Sequence, residues 1–225
     1  MVYVVTLLEP TAGLDVCEFF TENPAPGIRK LTESEAKELA ENRLFYACRL
    51  DGKMVATVYF KADTADAWEM GGAIVAEPHR KKALLVCLGA AAIVNQSLAE
   101  RMSAGAAGQK TILARILKGN PDPENSLERA GFKFSRPIEI DPNKKPGVAA
   151  MPKNENGMVV AEEYAFDKTY LVAHAKALLK IRDTRLSPAG APLEIQIPML
   201  LKDEGDPLAA LIEDLAQAAA DPAAQ

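Results

Sequence analysis

Hydrophobic residues along the chain fall into short β-branched or aromatic runs, separated by stretches in which apolar and charged positions follow a helical period. The run Tyr3–Pro10 predicts a first strand that ends at its Glu-Pro step. The stretch Leu31–Arg43 predicts a helix, because Thr32 is a good N-cap and Glu35 stands at the capping-box position. Two further apolar runs flank Asp51–Gly52, a pair typical of a tight hairpin turn. The N-terminal part of the chain therefore mixes strands and helices.

The middle of the chain continues this alternation. The segment Ala67–Pro78 predicts a third strand of the series, and its Gly71–Gly72 pair predicts a bulge or the close approach of another backbone. An apolar helix is expected from about Lys81 to Met102. The pattern then predicts a strand, a short helix, two strands and a helix that ends near Asp183. This order indicates a mixed α/β sheet with a crossover helix after the third antiparallel strand.

The character of the sequence changes after Ser187. The next segment is rich in proline, and a last amphipathic helix is predicted from Pro207 onward. One apolar stripe along this helix consists of Leu208, Leu211, Ile212 and Leu215. We therefore predict a main domain at 1–186 and an extension at 187–225. The stripe suits a second copy of the chain or an assembly partner.

Composition and charge narrow the class of protein. The net charge of −5 and the pI near 5.2 provide no overall basic field, so no nucleic-acid partner is predicted. Cys17, Cys48 and Cys87 are too far apart in sequence for a zinc motif or a disulfide framework, which fits a reducing compartment and predicts no metal site. The N-terminus lacks the basic region of a signal peptide, and the longest apolar run has only about a dozen residues, too few to cross a bilayer. We therefore predict a cytoplasmic protein without a membrane partner.

Two motifs carry chemistry. The stretch "WEMGGAIVAEPHRKKALL" (68–85) contains a strand with an acidic residue, a turn with proline, and an arginine ahead of a helix. It resembles the acetyl-CoA motif, R/Q-x-x-G-x-G/A, of the GCN5-related N-acetyltransferase (GNAT) superfamily. The stretch "NPDPENSLERAGFKF" (120–134) is similar to a later motif of that family, in which a short helix ends in Gly-Phe before a strand. The resemblance spans about Ile28 to Phe166, so the tail lies outside it.

The resemblance implies an α/β (α+β) fold with a GNAT-like mixed, mostly antiparallel central sheet flanked by helices, here with a C-terminal helical extension. It implies acetyl-CoA as cofactor and an amine acceptor on a small molecule or a protein. In that fold two neighbouring strands splay apart, and the cofactor arm pairs with free backbone groups of the first one. The residues implied here are Ala73, Ile74 and Val75. The pyrophosphate would bind the N–H groups that start the long helix, where the macrodipole favours anions. These belong to Lys81, Lys82, Ala83, Leu84 and Leu85.

The implied pyrophosphate turn departs from the family motif. Arg80 matches the leading Arg/Gln, but Ala83 and Leu85 stand where glycine and Gly/Ala are expected. Ala83 adds only a methyl group and is expected to keep helical backbone angles at small cost. Leu85 brings a large side chain to the phosphate position, unless it turns toward the sheet. Arg80, Lys81 and Lys82 would attract a diphosphate; the alternative is a solvated helix start, although cations there oppose the macrodipole.

The resemblance also implies catalytic roles. Glu69 matches the acidic position that many family members use as a base, and the alternative is an ordinary surface carboxylate. The family's usual acid for the leaving thiolate is a tyrosine, but this chain has Leu127 there, and the neighbouring Ser126 could replace it only weakly. Tyrosines on predicted strands that could replace it in space are Tyr46, Tyr59 and Tyr164.

Two asparagines lie near the second motif. Asn120 or Asn125 could hydrogen-bond the cofactor arm, but Asn125 also suits the N-cap of the short helix, which we favour. Two functions remain open. The first is a GNAT-fold N-acetyltransferase that uses acetyl-CoA on an amine. The second is a GNAT-fold module without transfer activity that serves as a binding or structural component of a larger assembly, for example a virion. Leu85, Leu127 and the C-terminal extension favour the second.

Overall fold

The computed structural model of the protein describes residues 1–25, 28, 30–105, 109–118, 121–143, 148, 151–201 and 205–220. The strands within these residues are β1 (Tyr3–Leu7), β2 (Phe45–Leu50), β3 (Lys53–Thr64), β4 (Ala67–Val75), β5 (Thr111–Leu117), β6 (Phe132–Ile140), β7 (Val159–Phe166) and β8 (Leu193–Gln196). The α-helices are α1 (Gly13–Glu22), α2 (Glu33–Glu41), α3 (Leu84–Ala104), α4 (Pro121–Arg129), α5 (Leu171–Thr184) and α6 (Pro207–Ala220). The described strands form one sheet in the order β6-β7-β5-β4-β3-β2-β1-β8.

Most neighbouring strands in this sheet run antiparallel. The exceptions are two parallel pairs, β4 with β5 and β1 with β8. A parallel pair needs a crossover connection, and α3 supplies it between β4 and β5. The predicted mixed, mostly antiparallel sheet flanked by helices is therefore confirmed.

Helices cover both faces of the sheet. On one face α3 packs into the main core, where Leu84, Leu88 and Ile93 are buried. On the other face α1 and α2 enclose a smaller core around Phe20 and Phe45. Helix α3 is long and apolar enough to cross a membrane, but 67% of its most apolar window is buried inside the protein. Its hydrophobicity therefore serves the core.

Local sequence signals act as expected near the N-terminus. The Glu35 N–H donates to Thr32 Oγ1 at 3.2 Å, and the Thr32 N–H donates to Glu35 Oε2 at 2.9 Å, which completes the capping box. Asp51 and Gly52 have φ angles of 50° and 81°, and two positive φ angles define the type I′ hairpin turn. Both sequence predictions are confirmed.

Two helix starts differ from the sequence predictions. Helix α3 begins at Leu84 rather than near Lys81, because the intervening residues form a turn with left-handed backbone angles. Helix α4 begins at Pro121, so Asn125 lies inside the helix and its assignment as the N-cap is wrong. Proline is compatible with that earlier start, since the first turn of a helix needs no N–H donors.

The residues after Ser187 contribute to the same sheet and core. Strand β8 pairs with β1, and α6 packs on α5. Leu208 and Leu211 of the predicted stripe are buried in the main core. Arg182 of α5 donates to Asp206, directly before α6, at 3.0 Å. The apolar stripe of α6 is thus occupied within the chain.

Candidate functional site

Strands β4 and β5 separate after a short parallel pairing. Their register runs from Ala67–Thr111 to Met70–Ala114, and both strands continue beyond it. Past that point β4 stays paired with β3, and β5 with β7. The two strands therefore enclose a wedge, and one edge of β4 borders it. The residues of β4 along that edge include those predicted to meet a cofactor arm, Ala73, Ile74 and Val75.

A bulge in β4 shapes the wall of this wedge. The β3–β4 register shifts between Thr57–Ile74 and Tyr59–Gly71, and Gly72 takes a φ of +62°. A Cβ at Gly72 would lie 2.3 Å from the Tyr59 ring, so both the backbone angle and the space require glycine. The Thr57 hydroxyl donates to the Gly72 carbonyl oxygen at 2.7 Å and holds the bulge in place. The predicted bulge at the paired glycines is confirmed.

The turn between β4 and α3 contains two left-handed residues. Lys81 has a φ of 64° and Ala83, the N-cap of α3, has a φ of 58°. The expectation that Ala83 keeps helical angles is therefore wrong. A left-handed residue other than glycine costs about 1–2 kcal/mol, so glycine would suit both positions better. Strained backbone of this kind concentrates at binding sites.

Helix α3 starts with amides that its N-cap residue does not satisfy through a side chain. The Cys87 N–H donates to the Ala83 carbonyl oxygen at 3.1 Å, so helical bonding begins there. The N–H groups of Leu84, Leu85 and Val86 consequently have no partner within the helix. Ala83 provides no side-chain cap, and the first turn carries no acidic residue. This end of α3 can accept an anion.

The turn before these amides carries three cations. Arg80 and Lys81 are exposed, and Lys82 is half-buried. Arg80 Nε lies 3.5 Å from the Val75 carbonyl oxygen, so the guanidinium folds back toward the end of β4. Lys82 Nζ lies 5.8 Å from the centre of the Tyr3 ring. The positive charge of the turn thus extends from the wedge to β1.

The two leucines at the start of α3 behave differently. Leu84 is 2% exposed and enters the main core. Leu85 is half-buried. The residue that turns into the core is therefore Leu84, and Leu85 stays at the first turn with the uncapped amides.

Glu69 belongs to a group of charges that we name the Arg115 cluster: Arg115, Asp63, Glu69, Glu163 and Arg136. Arg115 follows directly on the last β4–β5 pair and donates to Glu69 Oε2 at 2.9 Å. It also donates to both carboxylate oxygens of Asp63, at 2.6 and 2.8 Å. Glu163 accepts from Arg115 at 2.8 and 3.0 Å and from Arg136 at 2.9 Å. Three carboxylates thus surround one largely buried guanidinium at the apex of the wedge.

Protonation in the Arg115 cluster follows these contacts. Hydrogen bonding to Asp63 raises the pKa of Arg115, so its guanidinium stays charged. Burial alone would raise the pKa of Glu163, but hydrogen bonds from Arg115 and Arg136 lower it below its ordinary value. A cleft of about 420 Å³ borders the cluster. Its further lining residues are Ile138, Glu139, Ile140, Asp141 and Met158. Among the described residues, no group of three His, Cys, Asp or Glu side chains could hold a metal ion.

Comparison with known proteins finds similar solved structures but no similar sequence. No protein-family profile and no curated protein sequence matches the chain. An N-acetyltransferase from Staphylococcus aureus Mu50 is 11% identical over 74% of this chain and 98% of that chain, with a TM-score of 0.55. An acetyltransferase of the GNAT family from Streptococcus pneumoniae is 10% identical over 72% and 97%, with a TM-score of 0.51. The ribosomal-protein-S18-alanine N-acetyltransferase from Escherichia coli is 15% identical over 73% and 92%, with a TM-score of 0.50. This chain has the GNAT fold.

The second motif occupies α4 of this GNAT fold. Leu127, which the resemblance aligns with a tyrosine, is half-buried and packs against the main core. Ser126 and Asn125 are exposed on the same helix. Asn120 lies outside the described residues. The Leu127 side chain is therefore used for packing.

The three tyrosines considered as substitutes lie in different surroundings. Tyr46 and Tyr164 are fully buried. Burial raises the pKa of Tyr46 to about 12, and its hydroxyl accepts a hydrogen bond from Asn95. Tyr59 is half-buried, and its ring packs against the two glycines of the bulge. Of the three, Tyr59 is the one that is not fully buried, and it packs against the bulge of β4.

Sequence reasoning singled out Glu69 but missed its partners Asp63, Arg115 and Glu163. A weak signal exists, because a charged residue between apolar residues of a strand faces away from the core. Arg115 in "KTILARIL" has this pattern. The strand register decides which charges lie side by side. Arg115 of β5 is paired with Glu163 of β7, and the register of β3 shifts near Asp63. Neither is readable from local sequence.

Proposed function

We propose that this chain is an N-acetyltransferase that transfers an acetyl group from acetyl-CoA to an amine. The observation that carries the proposal is the wedge between β4 and β5 next to the uncapped amides of α3. An open strand edge suits the amide-bearing pantetheine arm, and a helix N-terminus suits a pyrophosphate. Solved N-acetyltransferases of the same fold support the same reaction class.

The cosubstrate would bind mainly through backbone. Ala73, Ile74 and Val75 would pair with the pantetheine arm at the open edge of β4. The N–H groups from Lys81 to Leu85 would bind the pyrophosphate, and the side chains of Arg80, Lys81 and Lys82 would add positive charge. Contacts from Asn120 and Asn125 to the arm stay predictions. Because backbone groups carry the binding, the loss of the motif's glycines need not abolish it.

Acetyl-CoA supplies an activated acyl group, and side chains of the protein must accept a proton from the amine and donate one to the leaving sulfur. The acceptor ammonium loses a proton, its nitrogen bonds to the acetyl carbon as the carbon–sulfur bond breaks, and the departing sulfur needs a proton. Glu69 is the proposed base, directly or through water, and Arg115 fixes the position of its carboxylate. The cleft is lined by four carboxylates and two arginines, and this acidic excess would attract a cationic amine.

The weakest step is protonation of the leaving thiolate. Leu127 has no proton to give, and the Ser126 hydroxyl is a poor acid without help. This observation supports the second candidate, a GNAT-fold module that binds acetyl-CoA or a partner without efficient transfer. The acceptor class, a cytoplasmic location and self-association stay predictions under either function.

Titration with acetyl-CoA, followed by a CoA-release assay over small-molecule and peptide amines, separates the candidates. We expect binding, and turnover that falls about 100-fold or more in Glu69→Gln while acetyl-CoA affinity is unchanged. Binding without turnover on any amine would favour the second candidate. No binding at millimolar acetyl-CoA would contradict the enzyme.

A further inference from the structure

A second cavity, of about 270 Å³, lies on the α3 side of the sheet. It is lined by the turn after α2, the start of β4, the middle of α3 and a short 3-10 helix of the extension, Pro198–Leu200. The lining residues are Asn42, Arg43, Leu44, Trp68, Asn95, Gln96, Ala99 and Met199. None of them belongs to the wedge edge, the α3 turn or the Arg115 cluster. The cavity is therefore separate from the proposed acetyltransferase site.

Asn95 gives this cavity an unsatisfied polar group. The side chain is 4% exposed, and its Nδ2 donates to the Tyr46 hydroxyl at 2.8 Å. Its Oδ1 is buried and has no hydrogen-bond partner within the part of the chain that the structure describes. Exchanging the amide oxygen and nitrogen does not remove the problem, because the hydroxyl would then donate to Oδ1 and leave Nδ2 without an acceptor. Since buried amide groups are nearly always paired, Asn95 points to a bound molecule.

The charge of the lining indicates the kind of molecule. Among the described residues of the lining, Arg43 is the one that carries a charge and none is a carboxylate, although the whole chain has a net charge of −5. Arg43 also occupies a costly position. The Arg43 N–H donates to the Ala40 carbonyl and the Leu44 N–H to that of Leu39, a helix ending that places Arg43 at a φ of 58°, where glycine is usual. An arginine kept at such a position suits a bound anion.

Apart from the polar Asn42 and Gln96, the remaining lining residues are apolar. The Trp68 indole N–H donates to Glu100, and Lys110 Nζ lies 4.3 Å from the centre of the Trp68 ring. Leu44, Ala99 and Met199 supply aliphatic surface. The volume is slightly below the range of about 300–1,000 Å³ typical of drug-sized ligands, so the occupant is small.

We propose that this cavity binds a small monocarboxylate with a flat apolar body. The carboxylate pairs with Arg43, the apolar body packs against Trp68 and Met199, and the Asn95 amide hydrogen-bonds the ligand. Because Met199 comes from the extension, the bound molecule joins the extension to the α3 face. This site is independent of acetyl-CoA.

The chain carries its own reporter for the test, since Trp68 is its single tryptophan. Phenylacetate and benzoate serve as probes, and phenylacetamide as the neutral control. We expect a saturable change in Trp68 fluorescence with the carboxylates, at least about tenfold weaker with phenylacetamide. Saturating acetyl-CoA should leave the titration unchanged.

Variants assign the signal to the cavity. Arg43→Gln should weaken phenylacetate binding about tenfold or more, whereas Lys53→Gln, an exposed cation at the start of β3, should not change it. Ala99→Leu fills the cavity without removing a polar group and should abolish the signal, with thermal unfolding as the check on folding. No saturable signal, or an equal signal in Arg43→Gln and Ala99→Leu, would overturn the proposal. So would a crystal soaked with phenylacetate that shows only a water at Asn95.

Discussion

The two motifs depart in different ways from the family pattern that they resemble. The turn before α3 has Ala83 and Leu85 where that pattern has glycine and Gly/Ala, and Lys81 and Ala83 take left-handed angles. In α4, Leu127 packs against the core at the position where the resemblance implies a tyrosine. Backbone geometry can survive a change of side chain at the cost of strain, whereas proton transfer cannot survive loss of the group that carries the proton. Cosubstrate binding should therefore be retained better than turnover.

The largest effect is expected from the Arg115 cluster, which includes Glu69 of the first motif. Arg115→Leu leaves Asp63, Glu69 and Glu163 close together without their shared cation. We expect a loss of about 3–5 kcal/mol in unfolding free energy by urea denaturation, because an uncompensated buried charge is costly. Arg136→Leu is the matched control, since that side chain is 68% exposed, and should change stability by no more than about 1 kcal/mol. Equal losses would contradict a central role for Arg115.

Next in size is the bulge that opens the wedge. Gly72→Ala places a Cβ 2.3 Å from the Tyr59 ring at a φ of +62°, so the bulge must shift. We expect a loss of about 2–3 kcal/mol in stability and weaker acetyl-CoA binding, measured by thermal unfolding and calorimetry. Gly89→Ala in α3 meets nothing within 4 Å and should instead stabilise the protein by up to about 1 kcal/mol. Unchanged acetyl-CoA affinity in Gly72→Ala would place the cosubstrate elsewhere.

A third prediction concerns the missing acid. Leu127→Tyr returns a phenol to α4 and should raise kcat for acetyl transfer about tenfold or more. Leu127→Phe adds the same ring without the hydroxyl and should not raise kcat. The pair therefore distinguishes an effect of proton donation from an effect of side-chain packing. If both variants leave kcat unchanged, protonation of the thiolate does not limit this chain.

Features that depend on residues close together in the sequence could be predicted, whereas features that depend on residues far apart in the sequence could not. The Thr32 capping box, the Asp51–Gly52 turn and the glycine bulge were predictable, because each depends on residues that are neighbours in sequence. The left-handed angle at Ala83 was not, because alanine normally avoids it and only the geometry of the whole turn imposes it. The partners of Arg115 required strand register, and the place of β8 beside β1 required a long-range parallel pairing.

A smaller effect should follow from restoring the first motif. Ala83→Gly keeps the left-handed angle and removes the penalty of a Cβ there. We expect a gain of about 1 kcal/mol in stability by thermal unfolding, with acetyl-CoA affinity equal or higher in calorimetry. Ala92→Gly, at a buried helical position of α3, is the control and should destabilise. A destabilised Ala83→Gly would show that the turn does not hold this conformation in solution.

The smallest effect is a pH dependence of stability that arises from His174, which contacts the end of α4. His174 Nε2 lies 2.9 Å from the carbonyl oxygen of Ala130, at the end of α4, and the ring stacks on Phe166. Burial lowers the pKa of His174 below its ordinary value of 6.5, an effect larger than the opposing influence of the hydrogen bond to Ala130. The unfolded chain therefore binds a proton below about pH 6.5 that the folded chain resists, so this contribution to stability is complete above that pH and decreases as the pH falls. Urea denaturation between pH 8 and pH 5 should show this decrease, and His174→Gln should reduce it. If the unfolding free energy of His174→Gln depends on pH as that of the unchanged protein does, the decrease comes from other ionisable groups.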